Sequence, residues 1–338
     1  MTNRKKIENS AFENSSKNKL FEILNYSKVS LNHLIGLSNK IKDEIAETKK
    51  DCLSKFSVEK YIENIKQYPS ISAYSYVNES TITFCNDLLQ YTNKSVLDLF
   101  HKLILVKFIL QVYQQKRLEK FPEEVCSLYH TNFKRIVNDI SSDSYQGSFF
   151  YDNDRFRKDI ALCSLKMIPT GARKIHLEKL SLRFLFKGGL RQFVKGLQFL
   201  TAEFGSFKAI LFEMHTDSKD SNLMAEFNEE GLIRAYKRIA VLFSLYPDVK
   251  GVFGSSWYYD PNLESISPRL AYLRRIPVNN GGKIFYLGPD DQSTKDATLK
   301  SPTRRKLYEE GKYIPNKYLL IWPRERLIYW AKNNRNSY

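Results

Sequence analysis

The sequence predicts an α/β (α+β) protein, in which a mostly helical N-terminal region precedes a domain built on a mixed β-sheet. Apolar residues recur at helical spacing over most of residues 19–140. Later in the chain, Ala209–Asp217 and Lys250–Asp260 are compact apolar segments typical of buried strands. The change from one pattern to the other indicates two regions of different architecture.

The bulk composition is typical of a folded protein. With 338 residues, of which 42% are hydrophobic and 27% charged, the chain can bury one large core or two smaller ones. No apolar run reaches the roughly eighteen residues that a membrane span needs, and the N-terminus lacks the apolar segment of a secretory signal. We therefore expect a cytoplasmic protein without a membrane span. The four cysteines stand singly, which disfavours a zinc site or a disulfide framework.

The N-terminal region shows its clearest helical pattern in two segments. Ser95–Phe121 carries apolar residues on more than one face, as expected of a buried central helix, and Glu123–Ile140 follows as another helix. The next segment, Ser141–Phe156, is rich in turn-forming residues, so we place a domain boundary near residue 150. The prediction is therefore a helical domain over residues 1–150 and an α/β domain over residues 151–338.

The second region begins with a unit of strand, turn, helix and strand. Ile175–Phe186 alternates apolar and polar residues in part, which predicts a half-buried strand, and a glycine turn follows at Gly188. Leu190–Gly205 has a helical pattern that ends at a glycine, and Ala209–Asp217 is the next strand. Because such units place ligand-binding groups at the carboxyl ends of their strands, we expect a site there.

Three polar residues alternate along the strand Ala209–Asp217. Because successive side chains of a strand point to opposite faces, Glu213, His215 and Asp217 are predicted to share one face. Such a face can supply a general base, with His215 oriented by a carboxylate, or it can hold a metal ion. A solvated strand end that hydrogen-bonds the next loop is the alternative interpretation.

Hydroxyl and aromatic residues follow the other buried strand, Lys250–Asp260. The segment does not match the nucleophile elbow of serine hydrolases, so we interpret it as a substrate-binding wall, with core and turn residues as the alternative. Arg274, which follows this segment, offers a partner for phosphate or carboxylate. The candidate substrate-binding residues are Ser255, Ser256, Trp257, Tyr258, Asp260 and Arg274.

The segment Arg304–Trp322 resembles the late part of the GNAT acyltransferase superfamily, in which a helix with an L-Y-E-x-x-G-[FY]-like sequence leads into a strand. Here residues 307–313 read LYEEGKY, and the strand-like Tyr318–Trp322 follows. The resemblance implies a GNAT-like domain in which Tyr308 is the general acid to the departing CoA thiolate. The glycine turn at Gly188 and Gly189 also resembles the pyrophosphate-cradling element of that superfamily.

The leading hypothesis is an acyltransferase that moves an acyl group from CoA, or from the phosphopantetheine of an acyl carrier, to a small-molecule amine. In it, Glu213 or His215 deprotonates the amine and no metal is expected. The residues that the resemblance places at the pyrophosphate are Gly188, Gly189, Leu190 and Arg191. The formal net charge of +16 suits CoA phosphates or an acidic carrier protein.

Two alternatives belong to other functional classes. The first is a metal-dependent hydrolase that uses Glu213, His215 and Asp217. The second is a basic nucleic-acid-binding protein, which the positive charge would suit. We favour it least, because the basic residues form no dense cluster in the sequence and no helix-turn-helix, RRM or zinc-finger spacing is present.

Overall fold

The computed structural model describes residues 28–67, 79–142, 154–216 and 224–334. The chain divides into two compact units, and the division falls between Lys166 and Met167. We predicted the boundary near residue 150, but helix Asp154–Cys163 belongs to the first unit and packs against its other helices. Residues 143–153 of the turn-rich segment before this helix lie outside the described residues.

The described residues of the first unit form helices without strands. In chain order they are α1 Leu31–Thr48, α2 Cys52–Lys55, α3 Val58–Gln67, α4 Glu79–Tyr91, α5 Lys94–Gln114, α6 Glu123–Ser141 and α7 Asp154–Cys163. No helix among the described residues has the length and apolar character needed to cross a membrane.

Helix α5 is the centre of the first unit. Its side chains are buried on all sides because its sequence is apolar all round, and α1, α3, α4, α6 and α7 pack against it. Asn93 caps its first turn, since the side-chain oxygen accepts a hydrogen bond from the Val96 N–H at 3.0 Å. The helix ends seven residues before the predicted Phe121, and Lys116 just beyond its end has a φ of 50°.

The second unit is built on a mixed six-stranded sheet of order β1-β2-β3-β4-β6-β5. Its strands are β1 Met167–Pro169, β2 Arg173–Lys179, β3 Ile210–Thr216, β4 Gly251–Ser256, β5 Lys283–Pro289 and β6 Asn316–Pro323. Strands β3 and β4 are parallel, and the other neighbouring pairs are antiparallel. This architecture confirms the predicted fold class of a helical N-terminal region followed by a mixed-sheet domain.

Helices cover the sheet and connect its strands. They are α8 Gly189–Phe204, α9 Glu229–Leu242, α10 Leu263–Ile266, α11 Tyr272–Asn279, α12 Asp291–Leu299, α13 Pro302–Glu309 and α14 Arg324–Asn333. Helix α8 lies over one face through a cluster that includes Leu200, Leu211 and Phe253. On the other face, Phe212 stacks on Phe243, with ring centroids 5.6 Å apart. Burial on both faces explains why β3 reads as an apolar run.

The predicted strand Ile175–Phe186 is shorter than expected. Strand β2 ends at Lys179, and Leu182–Phe186 forms a 3-10 helix. The Ser181 hydroxyl caps this turn by accepting from the Arg183 N–H at 3.4 Å, while Phe184 is buried in the core. The apolar residues after Leu180 therefore serve core packing from a turn, which strand periodicity cannot distinguish from a longer strand.

Candidate active site

The central parallel strands β3 and β4 pair over a short length. Their register consists of the pairs Phe212–Val252 and Glu213–Phe253. Within the described ranges, β3 beyond Glu213 pairs only with β2, and β4 beyond Phe253 pairs only with β6. The facing edges of the two strands are therefore left without strand partners at their carboxyl ends.

A cavity of about 770 Å³ opens at these carboxyl ends. Its walls come from both strands, from the 3-10 turn after β4, and from segments around the first turns of α9, α11 and α12. The strand and turn residues that line it are Met214, His215, Thr216, Ser255, Ser256, Trp257, Tyr258 and Tyr259. The structure thus brings His215 and four of the predicted substrate-wall residues to one cavity of small-molecule size.

Glu213 and His215 share one face of β3, and a second histidine joins them from β2. His176 is the register partner of Glu213 in the antiparallel β2–β3 pair. The His215 Nε2 and His176 Nδ1 atoms are 3.1 Å apart, and their rings stack with centroids 4.9 Å apart. A Glu213 carboxylate oxygen lies 3.5 Å from His176 Nε2 and 3.9 Å from His215 Nε2. These three side chains are called the His–Glu–His cluster below.

Burial sets the protonation states of this cluster. It raises the pKa of Glu213 to about 7, with a smaller contribution from the nearby Glu178 charge that Lys317 partly opposes. Burial also lowers the pKa of His176 to about 4, although Glu178 acts in the opposite direction. At neutral pH, His176 is therefore uncharged, while Glu213 is poised between its two protonation states.

The glycine turn at Gly188 lies away from this cavity. Gly188 and Gly189 begin α8, and none of the residues Gly188–Arg191 is among those lining the cavity. Gln192 ties the turn to the edge strand instead, because its side-chain amide donates to the Tyr286 carbonyl at 2.9 Å and accepts from the Tyr286 N–H at 2.8 Å. The pyrophosphate contact of Gly188, Gly189, Leu190 and Arg191 therefore stays a prediction, outside the residues that line this cavity.

Tyr308 also lies outside the residues that line the cavity. It is 42% exposed on α13, and its carbonyl accepts from the Gly311 N–H at 3.0 Å. Gly311 has a φ of 68°, a left-handed conformation that suits glycine after the end of a helix. The L-Y-E-E-G sequence is thus explained locally as a helix terminus.

Three further predicted residues have other placements. Asp260 is fully buried, and its carboxylate accepts from the N–H groups of Asn262 at 3.0 Å and Asn316 at 3.2 Å. It therefore fixes the turn after β4 against β6. Arg274 pairs with Glu264 at 2.9 Å and is absent from the cavity wall. Asp217 lies outside the described residues.

Several cavity residues escaped the sequence-based prediction. Arg173 at the start of β2 and Tyr272 at the start of α11 both reach the cavity, although neither follows β3 or β4 in sequence. Arg304 also lines the cavity. It is 5% exposed, donates to the Ala297 carbonyl and the Ser267 hydroxyl at 2.6 and 2.9 Å, and stacks 4.9 Å from the Trp257 ring.

Comparisons with known proteins give remote structural neighbours. No family model matches the chain, and no curated protein matches it. One similar solved structure is an acyltransferase in complex with decanoyl-CoA, with a TM-score of 0.45, 11% identity, and coverage of 78% of this chain and 75% of that chain. An acyltransferase in complex with CoA and 10C-teicoplanin has a TM-score of 0.40 and 14% identity, and 68% of each chain is covered. At these TM-scores the likeness carries no functional assignment.

Proposed function

We propose that the protein is an acyltransferase that moves an acyl group from a CoA-type thioester to an amine at the carboxyl ends of β3 and β4. The observation that carries this proposal is the cavity between two separating parallel strands, with His215 on its wall and Glu213 3.9 Å from the His215 Nε2. A cavity at the carboxyl ends of a parallel pair is the usual location of a ligand site in such sheets.

The unpaired strand edges suit an extended donor. Beyond the pair Glu213–Phe253, the facing backbone groups of β3 and β4 have no strand partner within the described ranges. A phosphopantetheine arm carries amide groups, which can hydrogen-bond to strand edges as a peptide does when it adds to a sheet. A mixed sheet is also what the GNAT resemblance implies.

The His–Glu–His cluster supplies the base. An amine attacks a thioester only in its neutral form, so a proton must leave it before or during attack. His215 is the member of the cluster on the cavity wall, and Glu213 has a pKa of about 7, which allows it to accept a proton near neutral pH. His176, whose pKa is lowered to about 4, stays neutral and orients His215 through their 3.1 Å contact.

The departing thiolate needs a proton once the carbon–sulfur bond breaks. The GNAT resemblance implied Tyr308 for this step, but the phenols on the cavity wall are those of Tyr258, Tyr259 and Tyr272. Tyr259 is 1% exposed, so we assign the role to Tyr258 or Tyr272. Burial raises the pKa of both groups, which keeps each phenol protonated and available as an acid.

Exposed basic residues at the cavity suit a phosphorylated donor. Arg269 and Lys300 line the cavity and are exposed, and Lys317 is half-buried. The phosphates of CoA or of an acyl carrier would contact these side chains when the donor arm lies between the carboxyl ends of β3 and β4. A pyrophosphate contact at Gly188–Arg191 stays a prediction that a donor-bound structure would test.

Donor binding and turnover together test the proposal. Calorimetric titration with decanoyl-CoA and acetyl-CoA should give saturable binding, and a thiol-release assay should detect transfer to a panel of primary amines. His215→Ala should reduce turnover by about a hundredfold while donor binding is retained, because base catalysis contributes a factor of that order. Absence of acyl-CoA binding in the folded protein, together with absence of thiol release, would refute the assignment.

A second candidate function rests on a separate observation. The ligand atoms of His176, Glu213 and His215 all lie within 4.8 Å of one another, which is a geometry that can hold a divalent metal. A metal-dependent hydrolase would retain such an ion and lose activity on chelation. Metal analysis of the purified protein, with a His176→Ala variant as control, separates this candidate from the acyltransferase. Equal, trace metal content in both proteins would exclude a resident ion in the cluster.

A further inference from the structure

A buried arginine on the cavity wall lacks a carboxylate partner. Arg173 is 3% exposed, and its Nη1 donates to the Thr216 Oγ1 at 2.8 Å. Its side chain also hydrogen-bonds the Tyr259 phenol. The second terminal nitrogen, Nη2, is buried and has no hydrogen-bond partner within the described ranges. At least one donor of a fixed guanidinium fork is therefore unused.

The surroundings of Arg173 do not neutralise its charge. No described carboxylate forms an ion pair with it, and the groups on which its charge acts are phenols, those of Tyr236, Tyr258, Tyr259 and Tyr272. In each case the Arg173 charge lowers the phenol pKa against a larger upward effect of burial. The hydroxyl of Tyr236 is likewise buried without a partner.

An unpaired buried cation is costly to a fold. Removing a charge from water is unfavourable, and burying an N–H without a partner adds to that cost. A neutral side chain of similar size could fill the same space, or bond to Thr216, without the desolvation cost of a charge. Arg173 is also one of the residues that line a cavity with room for a ligand.

We propose that Arg173 binds a carboxylate of the amine acceptor, so that the acceptor is of the amino-acid type. This inference rests on the acyltransferase proposed above and names the substrate class of that site. A carboxylate is the planar anion that a guanidinium group recognises best, and Arg173 has no described carboxylate partner of its own.

Arg173 and His215 line the same cavity. Thr216, to which Arg173 is bonded, directly follows His215 in β3. Their side chains point to opposite faces of the strand, and both line the one cavity at its end. A small acceptor can therefore present its carboxylate to Arg173 and its amine to His215 across the strand end. The exposed Arg269 and Lys300 are better placed for the larger diphosphate of a donor.

Matched acceptor pairs test the inference. Thiol release from decanoyl-CoA would be measured with amino acids and with the amines that lack only the carboxylate, such as phenylalanine and phenethylamine. The unaltered protein should prefer the amino acids by about tenfold to a hundredfold in kcat/KM, the effect of one charged hydrogen-bonding contact. Arg173→Gln should abolish this preference by lowering kcat/KM for the amino acids. Arg269→Gln, on the exposed side of the cavity, should keep the preference.

The outcomes distinguish the acceptor carboxylate from the donor phosphate as the anion that Arg173 binds. If Arg173→Gln instead weakens decanoyl-CoA binding in calorimetry and leaves acceptor preference unchanged, Arg173 serves the donor phosphate and the acceptor assignment is overturned. An unchanged preference with unchanged donor binding makes Arg173 structural and overturns the inference entirely. Should Arg173→Gln fail to fold, Arg173→Lys keeps the charge and loses the fork, and the preference should then fall without disappearing.

A binding readout keeps the inference independent of turnover. Acetate should raise the Tm of the unaltered protein in a saturable manner, and this effect should weaken in Arg173→Lys and be retained in Arg269→Gln. Equal effects in all three proteins would overturn an oxyanion site at Arg173. Because this measurement needs no acyl donor, failure of acyl transfer and failure of the Arg173 site are distinguishable.

Discussion

Replacing Glu213 by glutamine should change how both stability and activity depend on pH. Burial raises the pKa of this carboxyl from 4.5 to about 7, so the folded protein favours the protonated form more strongly than an unfolded chain does. The stability linked to Glu213 is therefore fully present below about pH 4.5 and is lost as the pH rises to about 7. The difference between these pKa values corresponds to about 3 kcal/mol of unfolding free energy.

Glutamine mimics the protonated carboxyl at every pH, so the variant should not show this loss. Urea unfolding at pH 5 and pH 8 measures this loss. Relative to Glu213→Gln, the unaltered protein should lose about 2.5 kcal/mol between the two conditions. Glu325→Gln is the matched control, because that side chain is 87% exposed and should leave the pH dependence unchanged. Parallel pH profiles for the unaltered protein and Glu213→Gln would refute the buried-carboxyl argument.

The same substitution tests catalysis. In the unaltered protein, kcat/KM should rise as Glu213 loses its proton around pH 7. Glu213→Gln should lower kcat/KM by about a hundredfold or more and remove the inflection near this pH, because the amide cannot accept the proton. Retention of both the rate and the inflection would show that another group is the base, whatever the stability measurements give.

Other variants test separate parts of the site. Tyr258→Phe or Tyr272→Phe should lower kcat by about tenfold to a hundredfold with donor binding retained, whereas Tyr308→Phe should leave thiol release unchanged. An equal loss of kcat in all three variants would indicate that Tyr308 takes part in the reaction. Arg304→Gln should cost about 1–3 kcal/mol in urea unfolding, since the buried Ser267 and Ala297 acceptors lose charged donors. His176→Gln should reduce the acid destabilisation between pH 6.5 and about 4, which the native histidine causes because protonating it in the fold is unfavourable.

The elements that the sequence predicted well are those with long or compact apolar patterns. Helix α5 is recognisable because its apolar residues surround the helix, and β3 because it is a short apolar run with polar residues on one face. The 3-10 helix Leu182–Phe186 was missed, since its apolar residues continue the strand pattern without an intervening glycine or proline. Local periodicity therefore identifies the layers of this fold more reliably than the ends of its strands.

The candidate site could be predicted only where its residues share a strand or adjoin one. The common face of Glu213 and His215 follows from alternation along β3. His176 and Arg173 reach the same cavity through the antiparallel β2–β3 register, which pairs residues about forty positions apart and leaves no local signal. Tyr308 is a different case, because the short motif around it coincides with the end of a helix and its catalytic role stays a prediction. Its family role cannot be inferred without the cavity.

The weak pairing of β3 and β4 makes the sheet two antiparallel halves, one of β1, β2 and β3 and the other of β4, β6 and β5. Two residue pairs and the hydrogen bond from the Lys250 N–H to the Ile210 carbonyl, at 2.9 Å, join the halves. This seam should be the first part of the sheet to exchange its amide hydrogens. A donor that hydrogen-bonds to both facing edges would act as an additional strand between the two halves. Bound acyl-CoA should therefore slow amide exchange at the junction of β3 and β4 far more than within either half.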